Sequence, residues 1–495
     1  MPGTPSTTAD VPGAGTQGGH PRRWAVLAVI AVAQLMVVLD ATIVNIALPH
    51  AQADLGISDA DRQWVVTAYT LTFGGLLLLG GRIADYWGRK RAFLVGMVGF
   101  ALASAVGGLA TNGALLFGAR ALQGVFGALL APASLALLTV LFTETRERAK
   151  AFAVYGAIAG GGSAVGLLLG GVLTEYTSWR WCLLVNIPIA AFALLLALPL
   201  VPESRAHGDT RYDVPGALVV TLGLVSLVYG FTRAAEDGWD AAGTLAFIAA
   251  GVALLAAFVV IELRSSHPLL PMRILLDRNR GGAYLASTLI GAGLFGAFLF
   301  LTFYFQVVLR YTPLEAGLAS LPVTAGVLIA AGAASQLLPR VGAKPLMLAG
   351  AVLAAAGMVA LTQVDVDTSF AAHLLPAQVV LGMGLGFTFV PLSSLALYGV
   401  PEHDAGAASA TLNATQQVGG SLGTALLNTM YTSAVTGYLA TRVPDPGTQV
   451  RALVHGYSVA FAWGTGLILL SGLTTLLLIR VRRQDVPTGA PAHLG

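Results

Sequence analysis

The sequence predicts an all-α, polytopic membrane protein, and two observations lead to this fold class. Hydrophobic residues make up 56% of the 495 residues and charged residues only 10%, whereas a soluble protein carries about 25% charged residues. Long apolar runs also recur along the whole chain, and each can cross the roughly 30 Å hydrocarbon core of a bilayer as a helix. The chain therefore belongs in a membrane.

The apolar runs divide the chain into fourteen predicted transmembrane spans, numbered in chain order. They cover approximately residues 24–46, 64–82, 92–111, 114–140, 151–173, 182–200, 214–232, 241–262, 281–308, 314–338, 345–362, 373–398, 406–436 and 457–480. Residues 1–20 lack hydrophobic periodicity and are expected to form a disordered cytoplasmic tail. Residues 481–495 are expected to form a second cytoplasmic tail.

Lys and Arg residues are distributed unequally between the two sides of the predicted spans. If the N-terminus lies in the cytoplasm, only six of the 27 lie outside: Arg62, Arg180, Arg233, Arg310, Arg442 and Arg451. Because positive residues mark cytoplasmic loops, we predict a multi-pass protein of the cell (cytoplasmic) membrane with both termini in the cytoplasm. The same distribution attributes the positive charge to topology and contact with anionic membrane lipid, and it implies no nucleic acid partner.

The sequence also contains a weak internal repeat. Pro339–Lys344 aligns with Asp85–Lys90 at an offset of 254 residues, and Gln378 aligns with Arg120 at an offset of 258. Similar offsets predict two copies of one six-helix bundle. We therefore expect an N-terminal bundle, two inserted helices with their linkers and a C-terminal bundle, at residues 21–200, 201–280 and 281–480 respectively.

Asp40 is the carboxylate that lies deepest in a predicted span. A carboxylate at such depth is costly unless it faces a cavity, forms a pair or is protonated, so Asp40 is a candidate proton-coupling residue. Asn45 follows it on the same span and is a candidate for the substrate path. The alternative is that Asp40 lies near the end of the span and reaches the outer surface.

A compact polar segment, residues 81–91, separates spans two and three. Gly81 and Gly88 are expected to give the backbone freedom for a tight turn, and basic residues including Arg89 and Lys90 place the segment on the cytoplasmic side. Charge alone fits a turn that only sets topology. However, the order Gly-x-Ile-Ala-Asp-x-x-Gly-Arg-Lys, with Asp85 as its aspartate, resembles the loop signature after the second span of major facilitator superfamily transporters.

This resemblance carries structural and functional expectations. It implies the major facilitator fold of two six-helix bundles, here with two additional central helices, and a ligand path between the halves. In that superfamily the aspartate is thought to hold the outward-facing state closed on the cytoplasmic face. The resemblance therefore assigns a conformational latch to Gly81, Asp85, Gly88, Arg89 and Lys90. The stretch around Asp40 is similar to the span-one signature of the fourteen-span drug:proton antiporters.

Arg120 is the only basic residue that lies fully within a predicted span. A guanidinium group keeps its charge, so it needs an acidic partner, carbonyl groups or water. Asp40 is the only other charge at comparable depth, and we expect the two to pair. Arg120, Gln123 and Gly124 resemble the span-four motif of the superfamily, in which the arginine is linked to proton coupling, and Gln123 is a candidate for the substrate path. A structural arginine bound to carbonyl groups is the alternative.

Span five carries Gly162, Gly166 and Gly170 at every fourth position. Small residues on one face let helices approach closely in lipid, so these glycines are candidates for helix packing and gating. The arrangement resembles the span-five antiporter motif of the family, except that Leu167 occupies the place of its proline. Generic helix packing and the motif are equally compatible with the pattern.

Three amide side chains, Asn413, Gln416 and Gln417, lie in span thirteen. They either line the substrate path or bond neighbouring helices, and the sequence does not separate these alternatives.

The sequence contains neither a motif for ATP binding nor a motif for catalysis. There is no phosphate-binding Gly-x-x-x-x-Gly-Lys-Ser/Thr segment, which argues against ATP. We find no catalytic residues and no metal cluster at membrane depth, so no enzyme and no cofactor is predicted. We predict a monomeric secondary transporter that couples protons to the efflux of small molecules, namely hydrophobic or cationic drugs or antibiotics. Alternatives are an importer or facilitator of another small solute, and a non-transporting membrane receptor or structural protein.

Overall fold

The computed structural model describes residues 22–142, 144–205, 213–265, 268–270, 272–400, 405–442 and 445–481. The predicted tail at 1–20, and all but the first residue of the tail at 481–495, lie outside the described residues. The described part of the chain is helical and contains no strand, which confirms the all-α fold class.

Fourteen long helices follow one another in the described residues. They are α1 (Arg23–Leu55), α2 (Trp64–Trp87), α3 (Arg89–Gly108), α4 (Gly113–Leu141), α5 (Thr145–Tyr176), α6 (Asn186–Leu200), α7 (Val214–Asp237), α8 (Ala242–Arg264), α9 (Arg278–Phe303), α10 (Pro313–Val341), α11 (Ala343–Leu361), α12 (Leu375–Ala396), α13 (Ala405–Ala440) and α14 (Pro446–Leu478). Short helices at Trp181–Leu184 and Met272–Leu275 precede α6 and α9, and π-helical turns at Tyr304–Val308 and Phe370–Leu374 adjoin α9 and α12.

Thirteen helical segments of the described chain are long and apolar enough to cross a membrane. The remaining long helix, α13, is rich in hydroxyl and amide residues, and many of them, including Ser421, Thr424 and Asn428, are buried. Its length of 36 residues exceeds the roughly 20 that a bilayer requires. The structure is therefore consistent with the predicted fourteen spans, the thirteenth of which is held by packing within the protein rather than by contact with lipid.

The long helices pack as two groups of six. Helices α1–α6 contact one another, α9–α14 do the same, and the groups meet mainly where α2 packs on α13 and α5 packs on α10. Helix α7 lies across this seam against both α2 and α13, and α8 packs on the outside of α7. The exact residue boundaries of the three predicted regions stay a prediction.

The hydrogen bonds that join the two halves gather toward one end of the bundle. We call it the Asp59 end, after the loop of residues 56–63 between α1 and α2, and the opposite end the Gly88 end. At the Asp59 end the Nε of Arg62 donates to Oδ1 of Asn428 (3.3 Å), and the Nε2 of Gln306 donates to the carbonyl of Ile46 (2.9 Å). These bonds fasten the halves to each other on that side.

Candidate functional site

A buried ion pair lies inside the N-terminal half. The Nη1 of Arg120 on α4 is 2.5 Å from Oδ2 of Asp40 on α1, and the two residues are 1% and 0% exposed. The structure thus brings together the two charges that the sequence placed at similar depth. Because a buried pair is costly to desolvate, it persists only where further hydrogen bonds satisfy both groups.

Amide and hydroxyl groups complete the network. The amide of Gln123 accepts from Nη1 of Arg120 (2.9 Å) and donates to Oδ1 of Asp40 (2.8 Å). The Nδ2 of Asn186 also donates to Oδ1 of Asp40 (2.8 Å) and to Oγ of Ser104 (2.9 Å), and Gln123 donates to the same hydroxyl. Four helices, α1, α3, α4 and α6, therefore contribute side chains to one network.

Helix α2 holds the arginine from a further side. The Nε of Arg120 donates to the carbonyl of Val65 (2.9 Å), and its guanidinium carbon lies 4.5 Å from the centroid of the Tyr69 ring. Positions 120 and 123 are one helical turn apart, so both side chains leave the same face of α4. This local spacing aims the fork of the arginine and the amide of Gln123 at one carboxylate.

The network fits an ionised Asp40. Its three partners, Arg120, Gln123 and Asn186, all donate to it, and an arginine can only donate, which fixes the orientation of the Gln123 amide. One buried polar atom of the network has no hydrogen-bond partner, namely Oδ1 of Asn186. An acceptor without a donor therefore lies on a residue in direct contact with the carboxylate.

Sequence reasoning missed three members of this network: Ser104, Asn186 and Tyr69. Asn186 stands out in retrospect as an amide at the start of the apolar run of α6, within Val185–Pro188. Ser104 and Tyr69 gave no such signal, because serine and tyrosine are common in membrane helices.

The predicted path residues occupy two kinds of environment. Gln123 is fully buried in the ion-pair network. Asn45 is half-buried and donates to the carbonyl of Ala41 one turn earlier (3.2 Å), and Asn413 in α13 does the same to Ser409 (3.3 Å). The neighbouring side chains of α13, Gln416 and Gln417, are half-buried. The bonds of Asn45 and Asn413 thus stay within their own helices.

The polar segment between α2 and α3 turns at Gly88, whose φ of +125° lies in the region that favours glycine. Gly81 does not form the turn, because α2 continues through it to Trp87. Asp85 accepts from both Nε (3.0 Å) and Nη2 (2.8 Å) of Arg89 across the turn. Lys90 donates through Nζ to the carbonyl of Leu198 at the end of α6 (2.8 Å). In this conformation the bonds of the segment run to the N-terminal half and to the inserted region, where the backbone N–H of Arg89 donates to the carbonyl of Ser204 (2.9 Å) and Arg82 donates to the carbonyl of Pro268 (3.5 Å).

The three glycines of α5 face α1. A β-carbon on Gly166 would collide with the hydroxyl of Thr42, and one on Gly170 would lie 2.9 Å from the carbonyl of Ile43. Gly162 faces Val38 in the same way. The face is therefore used for close packing of α5 on α1, next to Asp40.

A second buried arginine was not anticipated. The topology count treats Arg62 as a charge of an exposed loop, but the residue is 2% exposed. Its guanidinium carbon lies 4.1 Å from the ring centroid of Phe303, 4.5 Å from that of Tyr431 and 5.9 Å from that of Phe300. Arg62 comes from the N-terminal half and the three rings from the C-terminal half, a pairing that depends on the fold and leaves no mark in the local sequence.

The family model and two of the most similar relatives all point to one family of transport proteins. The Major Facilitator Superfamily model matches residues 30–424. The puromycin resistance protein pur8 of Streptomyces alboniger is 51% identical over 478 residues, which cover 96% of this chain and 95% of the relative. The cephamycin export protein CmcT of Amycolatopsis lactamdurans is 41% identical over 416 residues, 83% of this chain and 85% of the relative.

A solved structure has the same fold. A bacterial homologue of the human lysosomal transporter Spinster, described as inward-facing and unoccupied, superposes with a TM-score of 0.67 at 15% identity and covers 96% of this chain and 100% of its own.

Proposed function

The chain belongs to the major facilitator superfamily and is a multi-pass membrane transporter, not an enzyme, and from this premise we propose that it exports hydrophobic or cationic drugs across the cell membrane in exchange for protons. The names of the relatives, puromycin resistance and cephamycin export, support the efflux. The observation that carries the proton coupling is the buried Asp40–Arg120 pair. We propose the proton gradient as the energy source, with no ATP and no cofactor, and a single chain as the functional unit.

The proposed coupling follows from the donors around Asp40. The carboxylate accepts from Arg120, Gln123 and Asn186. A proton on Asp40 would leave the buried guanidinium without its counter-charge, at a cost of about 3–5 kcal/mol. Protonation therefore disfavours this packed conformation and favours one in which the network opens.

Asn186 offers a hydrogen-bond acceptor to Asp40 once that carboxylate is protonated. Its Oδ1 is buried and has no partner. If the amide rotates by half a turn, that oxygen can accept a hydrogen bond from a protonated Asp40, in place of the bond that Nδ2 now donates. The proposed step is therefore a local exchange of one donor for one acceptor, and the added proton leaves the buried pair with the single positive charge of Arg120.

The proposed orientation places the Asp59 end outside and the Gly88 end, with both termini, in the cytoplasm. With the halves fastened at the Asp59 end, this conformation would admit substrate from the cytoplasm. We propose that Asn45, Asn413, Gln416 and Gln417 line its path, and that the Asp85 segment acts as a latch in the opposite conformation. Close packing of α5 on α1 would transmit the movement to Asp40.

The test uses inverted membrane vesicles that contain the protein, with puromycin as the probe. An acidic vesicle interior should drive puromycin accumulation, and a protonophore should abolish it. A facilitator would equilibrate puromycin whatever the gradient, and a receptor would move none. Either result, with the protein present in the vesicles, would reject the proposed antiport.

A further inference from the structure

Arg62 inserts into an aromatic site of the opposite half. We define the aromatic cage as Phe300, Phe303 and Tyr431, whose rings lie 4.1 to 5.9 Å from the guanidinium carbon of Arg62. Phe300 and Tyr431 are 0% and 1% exposed. Ring faces within about 6 Å of a cation attract it, and the attraction is strongest where water is excluded.

Two of the three cage rings pack on each other independently of Arg62. The rings of Phe300 and Tyr431 stack at 5.4 Å between centroids, and Tyr457 of α14 stacks on Tyr431 at 5.0 Å. These rings all belong to α9, α13 and α14 of the C-terminal half. When two halves rock against each other as rigid bodies, the cage stays with its half and Arg62 moves away with the other.

The polar partners of Arg62 are weak by comparison. Its Nη1 is 3.4 Å from Oδ1 of Asp59, a carboxylate that is half exposed, and its Nε is 3.3 Å from Oδ1 of Asn428. Its Nη2 is buried without a hydrogen-bond partner, and so is the hydroxyl of Tyr431. The ring faces are therefore the main surroundings of this charge, and nothing in the cage is specific for an arginine of the chain itself.

We propose that the aromatic cage is a binding site for organic cations, which Arg62 fills in this conformation and leaves free when the halves separate at the Asp59 end. The cage would take a quaternary ammonium or guanidinium head of the size of the group it now holds. This proposal deepens the proposed function and rests on it: in an exporter, the cage would be the site that holds the substrate immediately before its release. Return of Arg62 then expels the bound cation, so closure and release are one event.

The test measures equilibrium binding of radiolabelled benzyltrimethylammonium to the purified full chain in nanodiscs, without an ion gradient. Arg62→Gln removes the internal competitor and should tighten binding about fivefold or more, as expected when the competent state becomes more populated. Phe303→Leu removes the nearest ring and should weaken binding about three- to thirtyfold. Phe303→Tyr keeps a ring face and should bind like the parent.

Phe305→Leu is the matched control. Phe305 is buried two residues away and stacks on Tyr311 at 5.9 Å, so its loss removes the same volume from the core but no face of the cage. Its cation binding should not change. Equal loss in Phe305→Leu and Phe303→Leu, or weaker or unchanged binding in Arg62→Gln, would overturn the proposal.

The result separates the two proposals. Cation binding that responds as expected, in a protein whose vesicle transport ignores the proton gradient, would retain the cage and reject the antiport. Gradient-driven transport with cation binding that does not respond to these variants would do the reverse.

Discussion

The N-terminal half holds Arg120 in its core, whereas the aligned position of the C-terminal half, 258 residues later, holds Gln378. Arg120 bonds to Asp40, Gln123 and the Val65 carbonyl. Gln378 is equally buried, but neither its amide nitrogen nor its amide oxygen has a hydrogen-bond partner. The same place in the repeat therefore carries a satisfied charge in one half and an unsatisfied neutral amide in the other.

The difference shows how one fold places different chemistry in the cores of its two copies. The charged network needs several polar partners from four helices, and the proposed function assigns the response to a proton to it. The C-terminal core at the Asp59 end is instead aromatic, through Phe300, Tyr431 and Tyr457, and the cation that lies against these rings comes from the other half. In this conformation that cation is Arg62.

The largest expected effect comes from removing the charge of the N-terminal network. Asp40→Asn leaves Arg120 without a counter-charge and turns an NH2 group toward a neighbouring donor, a cost of about 3–5 kcal/mol for the packed state. Gradient-driven puromycin accumulation in inverted vesicles should fall at least about a hundredfold. Asp40→Glu, which keeps the charge, is the control. If Asp40→Asn transports at the normal rate, the proton site lies elsewhere. The charged core would then not distinguish the N-terminal half from the C-terminal half in proton coupling.

The next effect tests whether the network needs the shape of the arginine or only its charge. Arg120 uses two nitrogens for three acceptors, and a lysine has one nitrogen with no planar fork. Arg120→Lys should therefore lose transport nearly as completely as Arg120→Ala, although it keeps the charge. Vesicle transport rates of both variants, corrected for the amount of protein, check this. Full activity with lysine would show that a point charge suffices.

A smaller effect of opposite sign is expected in the other half. Gln378→Met replaces two unbonded buried polar atoms with apolar atoms of similar volume, so it should raise stability by about 1 kcal/mol. The matched variant Gln123→Met loses bonds to Asp40, Arg120 and Ser104, and it should lower the unfolding midpoint. Unfolding midpoints in one detergent compare the two. A lower midpoint for Gln378→Met would mean that the C-terminal half also depends on a polar core.

The smallest effect concerns the segment at the Gly88 end. The side chain of Asp85 is 38% exposed and pairs with Arg89 four residues later, and such exposed pairs contribute about 0–1 kcal/mol. Asp85→Asn should leave the unfolding midpoint almost unchanged and, as a latch, should shift the conformational equilibrium inward by about fivefold.

Labelling of an introduced cysteine measures that shift. Gly342, in the matching loop of the repeat, has a φ of +90° and would be strained by a side chain, so the adjacent exposed residue Val341 is the better site. In a Cys182→Ala background, Val341→Cys should label faster from the cytoplasmic side when Asp85 is replaced. Unchanged labelling together with lost transport would reject the latch and leave Asp85 as a folding or topology residue.

The sequence by itself determined the helices, the approximate spans and the depth of the two charges. Hydrophobicity and turn residues are local properties, so the turn at Gly88 and the pairing of Asp40 with Arg120 were predictable: a single acid and a single base at one depth have few alternatives. The proposed latch, path and gating roles of the predicted residues stay predictions.

Only the tertiary structure decided which polar groups surround those charges. Asn186 reaches Asp40, and Ser104 reaches Asn186, because α6 and α3 are rotated toward the network. Membrane helices that are apolar on every side give little sequence signal for that rotation. Arg62 looks like a loop charge in the sequence, but the seam between the halves buries it among rings more than 200 residues away. Local chemistry sets where a helix runs, whereas long-range packing sets what each side chain meets.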